Sequence, residues 1–287
     1  MEMNRSLIEQ FQQTVSEIYC NYQNNDVLMA KEGRHLPSRS AIIQIIKELR
    51  RVMFPGYFGE EDLSDYIGDY FVGSLMNHVY HNLKQQIVLA MMYNDESIAV
   101  EAAEHKAEDI SRHFISRVPY IQQMLLKDVQ AGFDGDPAAQ SKEDIIISYP
   151  GLFAIYVYRV AHELYAQNVP LIPRIMTEYA HSRTGIDINA GARIGEYFFI
   201  DHGTGVVIGE TTVIGNHVKI YQGVTLGGLS TRQGQALSGV KRHPTIEDNV
   251  TIYSGSSILG GDTVIGHDSV IGGNAFITAS VAPSTKV

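Results

Sequence analysis

The stretch "IDHGTGVVIGETTVIGNHVKIYQGVTL" (200–226) decides how the chain is read. Large aliphatics fall at Ile208, Ile214, Ile220 and Leu226, six residues apart. The same beat runs before them at Ile188, Ile194 and Ile200, and reaches Ile208 two residues late. After a longer break it resumes at Ile246, Ile252, Ile258, Val264, Val270 and Phe276. Three internally regular phases predict short strands that turn at small or polar residues and stack into a parallel β-helix. One hexad cannot bury its aliphatic alone, whereas stacked coils bury a continuous column. A sandwich of short strands would instead alternate, with turn signals about 8–12 residues apart. The slip carries Asp201, His202, Gly203 and Gly205. Two extra residues are expected to push Asp201 and His202 out of the coil wall, with the glycines permitting the bend.

Upstream of residue 184 the pattern differs. Residues 1–183 read as a helical N-terminal domain, and residues 184–287 as the β-helix domain, so the fold class is α+β. Apolar residues at three-and-four spacing mark helices in "SLIEQFQQTVSEIYCNY", "SAIIQIIKELRRVMF", "SDYIGDYFVGSLMNHVYHNLKQQIVLAMMY" and "DESIAVEAAEHKAEDISRHFISRVPYIQQMLLKDVQ". Ser38 or Ser40 is expected to cap the second helix, and Asp95 or Ser97 to open the fourth. "AGFDGDPAAQSKED" (131–144) reads as a loop, and helical pattern returns in "YPGLFAIYVYRVAHELYAQ" and "IPRIMTEYAHSRTG".

The composition, 44% hydrophobic and 19% charged, is that of a globular protein. No run of about 18 apolar residues predicts a membrane span. The start, "MEMNRSLIEQFQQ", lacks the pattern of a signal peptide. Cys20 is the single cysteine, which excludes an intramolecular disulfide framework and fits a cytoplasmic location. A net charge of −10 argues against general nucleic-acid binding.

Function must sit where the coils are interrupted. The first interruption delivers Asp201 and His202. The second, "GGLSTRQGQALSGVKRHPT" (227–245), ends in Lys241-Arg242-His243-Pro244. The segments "IDINAGARIG" (186–195), "IDHGTGVVIGET" (200–211), "VTLGG" (224–228) and "RHPTI" (242–246) resemble those of the serine acetyltransferases, a family of hexapeptide-repeat acyltransferases. "GDPAA" (135–139), followed by a Gly-Leu-Phe helix start and "YRVAHEL" (158–164), extends the likeness over roughly residues 130–287. The resemblance implies a left-handed β-helix. The general rule for crossovers favours the other hand, so the handedness rests on the resemblance.

The resemblance further implies acetyl transfer from acetyl-CoA to the hydroxyl of L-serine in cysteine biosynthesis. A serine hydroxyl is a weak nucleophile at neutral pH and needs a base, and histidine suits that role. By resemblance His202 is that base and Asp187, one coil away, orients it. Asp201 and Asp136 hold the substrate ammonium and Arg242 its carboxylate. His243 completes the site, and Glu210 matches a family acid beside it. Gly227, Gly228, Ser254 and Gly255 are the implied contacts of acetyl-CoA, the co-substrate, and no metal is expected. Lys219, Arg232 and Lys241 are candidates to meet its phosphates. With Cys20 far upstream, direct transfer without an acyl-cysteine is expected. The family places the site between subunits, which implies a homotrimer or a dimer of trimers. It also implies feedback inhibition by L-cysteine. O-acetylserine sulfhydrylase is a candidate partner, though no docking tail is visible after "VAPSTKV" (281–287). The Lys-Arg-His-Pro exit departs from the family, where an acid stands in place of Lys241.

Other readings compete. Homoserine differs from serine by one methylene, and a related acyltransferase acts on sugars; the acids with an arginine favour an amino acid. A γ-carbonic-anhydrase-like zinc enzyme would nominate His202, His217 and His243, but gives no role to Asp187, Asp201 or Arg242. An inert scaffold needs no acid-histidine insertion. His162, Tyr156 and Tyr158 read as packing residues, and His78 with His81 as structural.

Overall fold

The computed structural model describes residues 2–25, 27–28, 35–59, 68–230, 234–237 and 239–287. Its helices are α1 (Glu2–Asn24), α2 (Arg39–Met53), α3 (Gly68–Asn94), α4 (Val100–Gly135), α5 (Lys142–Ser148), α6 (Pro150–Ala166) and α7 (Ile172–Thr184). In α2, Ile42, Ile45, Ile46, Leu49, Val52 and Met53 form one buried face, and Ser38 caps its start by accepting the Ala41 N–H at 3.3 Å. In α1 the large apolar side chains stay exposed, including Leu7, Phe11, Val15 and Ile18. No single helix among the described residues is long and apolar enough to cross a membrane.

Two boundaries differ from the sequence reading. Neither Asp95 nor Ser97 caps α4, whose N-cap is Ala99. Asp95 Oδ1 instead accepts the N–H and hydroxyl of Ser97, at 2.9 and 2.7 Å, in an Asx turn before the helix. The loop expected over 131–144 is shorter. Helix α4 runs to Gly135, because Gly132 packs on Ile145 and Gly135 on Phe199, and α5 opens after the Ser141 cap.

From Asp187 the chain winds as a left-handed parallel β-helix with three sheets. Sheet A stacks β1 (Asp187–Ile188), β4 (Val207–Ile208), β7 (Thr225–Gly227), β10 (Ser257–Leu259) and β13 (Phe276–Ile277). Sheet B stacks β2 (Arg193–Ile194), β5 (Val213–Ile214), β8 (Thr245–Ile246) and β11 (Val264–Ile265). Sheet C stacks β3 (Phe199–Asp201), β6 (Lys219–Tyr221), β9 (Thr251–Ile252) and β12 (Val270–Ile271). Each coil therefore has a first corner from A to B, a second from B to C and a third from C back to A. Ile208 pairs with Leu226, one regular coil on, and Ile188 with Ile208, a coil lengthened by the insertion.

The interior column departs from the sequence reading in its last coil. Ile258 is followed inside by Ile265, Ile271 and Ile277, not by Val264, Val270 and Phe276. Phe276 is 73% exposed. One extra residue enters at Gly260, where φ is +106° and Thr263 Oγ1 donates to Leu259 O at 2.7 Å. Two adjacent apolar rows share the six-residue spacing here, so periodicity alone cannot choose between them.

The helices and the β-helix share one apolar core. Helix α7 ends at Gly185, left-handed at φ +69° as a helix-ending glycine commonly is. A buried ion pair locks α4 and α6 to the first coil. Arg159 donates to both Asp128 oxygens, at 2.6 and 2.8 Å, and to Gly195 O at 2.9 Å, while Asp128 accepts the Phe198 N–H at 3.0 Å. Burial works against the Arg159 charge, and Asp128 more than offsets it, holding the guanidinium above its ordinary pKa.

Candidate active site

The expected site residues gather at two different corners. At the third corner Gly205, Gly223, Gly255 and Asn274 all have positive φ and stack coil on coil. His202 and Gly203 are the two inserted residues, at φ +58° and +88°. A left-handed conformation costs a non-glycine residue roughly 1–2 kcal/mol. A Cβ on Gly203 would lie 2.4 Å from Ile186 Cδ1, so only glycine fits there. The insertion lifts the His202 side chain out to 73% exposure, with Nε2 3.9 Å from Asp201 Oδ1.

Asp201, expected to leave the coil wall with His202, stays in it: it is buried and ends β3 in register with Tyr221 of β6, because the extra residues enter after it. Its Oδ2 lies 3.4 Å from Lys219 Nζ, which also donates to Gly135 O at 2.5 Å. Lys219 thus ties the end of α4 to the β-helix. Asp136 follows at once, its Oδ1 accepting the Ala138 N–H at 2.8 Å and its Oδ2 the Tyr149 hydroxyl at 2.5 Å. Those two bonds, Tyr149 first, hold the Asp136 carboxyl below its ordinary pKa; the same bond pushes the Tyr149 phenol up to about 12. Asp187 opens β1 just past Gly185, whose carbonyl accepts the Gly205 N–H at 2.8 Å. Asp187 and His202 therefore share the third corner, without a hydrogen bond or ion pair between their side chains in the single chain.

The first corner collects the rest. Glu210 Oε2 meets Arg242 at 2.5 Å and Oε1 accepts the Tyr165 hydroxyl at 2.9 Å. Burial pulls the Glu210 carboxyl upward, but Arg242 and Tyr165 outweigh it and leave it below its ordinary value. Thr211 Oγ1 accepts the N–H groups of Arg242 and His243, at 2.9 and 3.1 Å. The Thr211 N–H donates to His243 Nδ1 at 3.0 Å. Nδ1 is thus an acceptor, so the ring is neutral with its proton on Nε2. Burial, then the Arg242 charge, pushes the His243 pKa down to about 4. The ring lies against Gly209, where a Cβ would be 2.2 Å from Nε2.

Lys241 Nζ donates to the carbonyls of Thr211, His243 and Pro244, at 2.8, 2.5 and 3.1 Å. Lys219 and Lys241, both considered from sequence as phosphate contacts, each donate to backbone carbonyls in the single chain. Arg232 lies outside the described residues. Gly227 and Gly228 sit at the first-corner end of sheet A, Ser254 and Gly255 at the third corner, so one chain does not bring these pairs together.

The other histidines are placed elsewhere. His217 stacks on Tyr197 with centroids 4.4 Å apart, His162 bonds Ala190 O at 2.8 Å, and His78 pairs with Glu48 at 2.8 Å. Among the described residues no three His, Cys, Asp or Glu side chains converge as a metal site. His202, His217 and His243 occupy three different corners, so one chain does not bring together the three histidines that the zinc reading would use.

Sequence reading missed Tyr149, Tyr165 and the anchoring role of Thr211. Thr211 stands in the "GET" of the motif, a signal that was there to use. The tyrosines lie on helical segments whose pattern marks them only as packing residues.

No family model matches the chain. The plasmid serine acetyltransferase of Synechococcus elongatus is 44% identical over 238 residues, covering 80% of this chain and 74% of that protein. Serine acetyltransferase 1 of Entamoeba histolytica, solved with L-cysteine, superposes with a TM-score of 0.74 at 33% identity, covering 94% of each chain. The Neisseria gonorrhoeae enzyme, solved with serine, superposes with a TM-score of 0.56 at 26% identity over 88% of this chain and 97% of its own.

Proposed function

Because the chain belongs to the serine acetyltransferase family, we propose that it transfers the acetyl group of acetyl-CoA directly to the hydroxyl of L-serine, with His202 as general base. The products are O-acetyl-L-serine and CoA. The observation that carries this reading is the two-residue insertion. It places an exposed imidazole beside Asp201, with Asp136 and Asp187 at the same corner.

The chemistry follows from the groups present. His202 takes the serine hydroxyl proton as the oxygen attacks the thioester carbonyl. The tetrahedral intermediate collapses, the carbon–sulfur bond breaks, and the imidazolium returns its proton to the departing thiolate. Asp136, held ionised by Tyr149 and the Ala138 N–H, faces the substrate ammonium. Arg242, oriented by Glu210, meets the carboxylate. Neutral His243 keeps an Nε2–H to donate to the developing oxyanion.

The two histidines stand on different corners of one coil stack. A trimer in which the third corner of one chain meets the first corner of the next would join the half-sites. The same pairing would set Gly227 and Gly228 of one chain across from Ser254 and Gly255 of its neighbour, lining one groove for acetyl-CoA. The exposed apolar side chains of α1 would support a dimer of trimers, and sedimentation of the intact protein distinguishes the two states.

The test is CoA thiol release with L-serine, L-homoserine and a panel of sugars, comparing wild type with His202→Ala. Preference for L-serine is expected, with a loss of about 10²–10⁴ in kcat for the variant. A loss under about tenfold refutes the general-base assignment.

A further inference from the structure

A cavity of about 360 Å³ lies where α4 and α6 cross sheet B, away from both histidine corners. Its floor is apolar, made by Ile121 and Met124 of α4 with Ile194 and Ile214 of sheet B. The charges on its wall cancel in pairs, with one exception. Arg117 is held by both Glu163 oxygens, at 3.1 and 3.0 Å, and Arg159 by Asp128. Arg193 of β2 remains, exposed at the rim, with no ion pair to its guanidinium among the described residues. One uncompensated cation above an apolar floor of this size matches a small organic monoanion, its carboxylate on the guanidinium and its body on the floor.

Two routes connect the cavity to the first corner. His162, on the cavity wall, bonds Ala190 O at 2.8 Å; one helical turn on, Tyr165 holds Glu210. Gly191 is wedged between them, where a Cβ would lie 2.8 Å from both Glu210 Cγ and Tyr165 Cζ. The second route is electrostatic. Burial first, and the Arg193 charge second, hold the Lys241 ammonium below its ordinary pKa. Lys241 is the group that ties down the Thr211, His243 and Pro244 carbonyls.

We infer that this cavity is an effector site for a small carboxylate with an apolar body, whose binding on Arg193 tightens the Arg242–His243 half of the serine site. An anion there removes a repulsion on Lys241 and strengthens its hold on the loop exit. The trimer proposed above would turn sheet A toward the threefold axis and leave sheet B, with the cavity, on the outside. The binding stands without the proposed activity, whereas its effect on serine rests on it.

Benzoate and its neutral isostere benzamide are suitable probes for the intact protein, with binding followed by calorimetry and activity by thiol release. Benzoate is expected to bind saturably and lower the serine KM at least about twofold, and benzamide to do neither. Arg193→Gln should weaken benzoate binding about tenfold or more and show the lowered serine KM without any ligand. Absence of saturable binding, or equal binding by Arg193→Gln, overturns the site. Binding that leaves the serine KM unchanged, or raises it competitively, overturns the effector role, while failure of acetyl transfer itself would count against the activity and not the cavity.

Discussion

Acidification should destabilise this protein through His243 in a window set by its burial. The imidazole has a pKa of 6.5 when unfolded and about 4 in place, because burial and Arg242 oppose its charge and Nδ1 already accepts the Thr211 N–H. Between those values the unfolded chain binds a proton that the folded chain refuses. Stability is therefore fully present above pH 6.5 and is lost as pH falls from 6.5 toward 4, with no further loss below. The full shift corresponds to a ceiling of about 3 kcal/mol per chain. Solvent reaches the edge of the ring, so about 1–2 kcal/mol is the expected loss. The assay is thermal unfolding of wild type and His243→Gln at steps from about pH 7.5 to about pH 4.5, taking the difference between them. Glutamine keeps an acceptor for the Thr211 N–H and does not titrate, so the other ionising groups cancel. The wild-type advantage should shrink by about 2–4 °C for each kcal/mol lost. A constant difference across the window refutes the reasoning, as does a His243 NMR titration near its unperturbed value. Above its folded pKa of about 4, His243 therefore stays neutral, with Nδ1 accepting the Thr211 N–H.

Two further substitutions test the frame around the site. Asp128→Asn leaves the buried Arg159 guanidinium without its carboxylate and should cost about 3–5 kcal/mol in urea unfolding; a loss under about 1 kcal/mol would mean that Gly195 O and solvent suffice for the charge. Lys219→Met removes the cation 3.4 Å from Asp201, which a serine ammonium placed between Asp201 and Asp136 must otherwise share. Relief of about 1 kcal/mol of repulsion predicts a serine KM about fivefold lower with the acetyl-CoA KM unchanged; a higher serine KM would show that tethering Gly135 outweighs the repulsion.

The part of the site that follows a period was legible before any coordinates. Hexad phase assigns each residue to a sheet and each interruption to a corner, so the slip at 200–208 and the break at 226–246 marked the places where side chains could leave the wall. Where two apolar rows run in parallel, as at Val264-Ile265 and Val270-Ile271, phase loses its meaning, and the extra residue at Gly260 passed unseen. The backbone bonds of Lys219 and Lys241 were hidden for a different reason. A lysine in a turn or at a strand edge suggests solvent and phosphate, but here bare carbonyls lie within reach of each ammonium: Gly135 at the end of α4, and Thr211, His243 and Pro244 around the loop exit. Unpaired carbonyls at such places need donors. Their positions depend on how helix and coil meet, which no period encodes. The same limit explains Tyr149 and Tyr165. Tyr149 gives its hydroxyl to Asp136 at the end of α4, within the helical half, whereas Tyr165 reaches across to Glu210 at the first corner of the β-helix, so one helical side chain helps set the charge state of a β-helix acid.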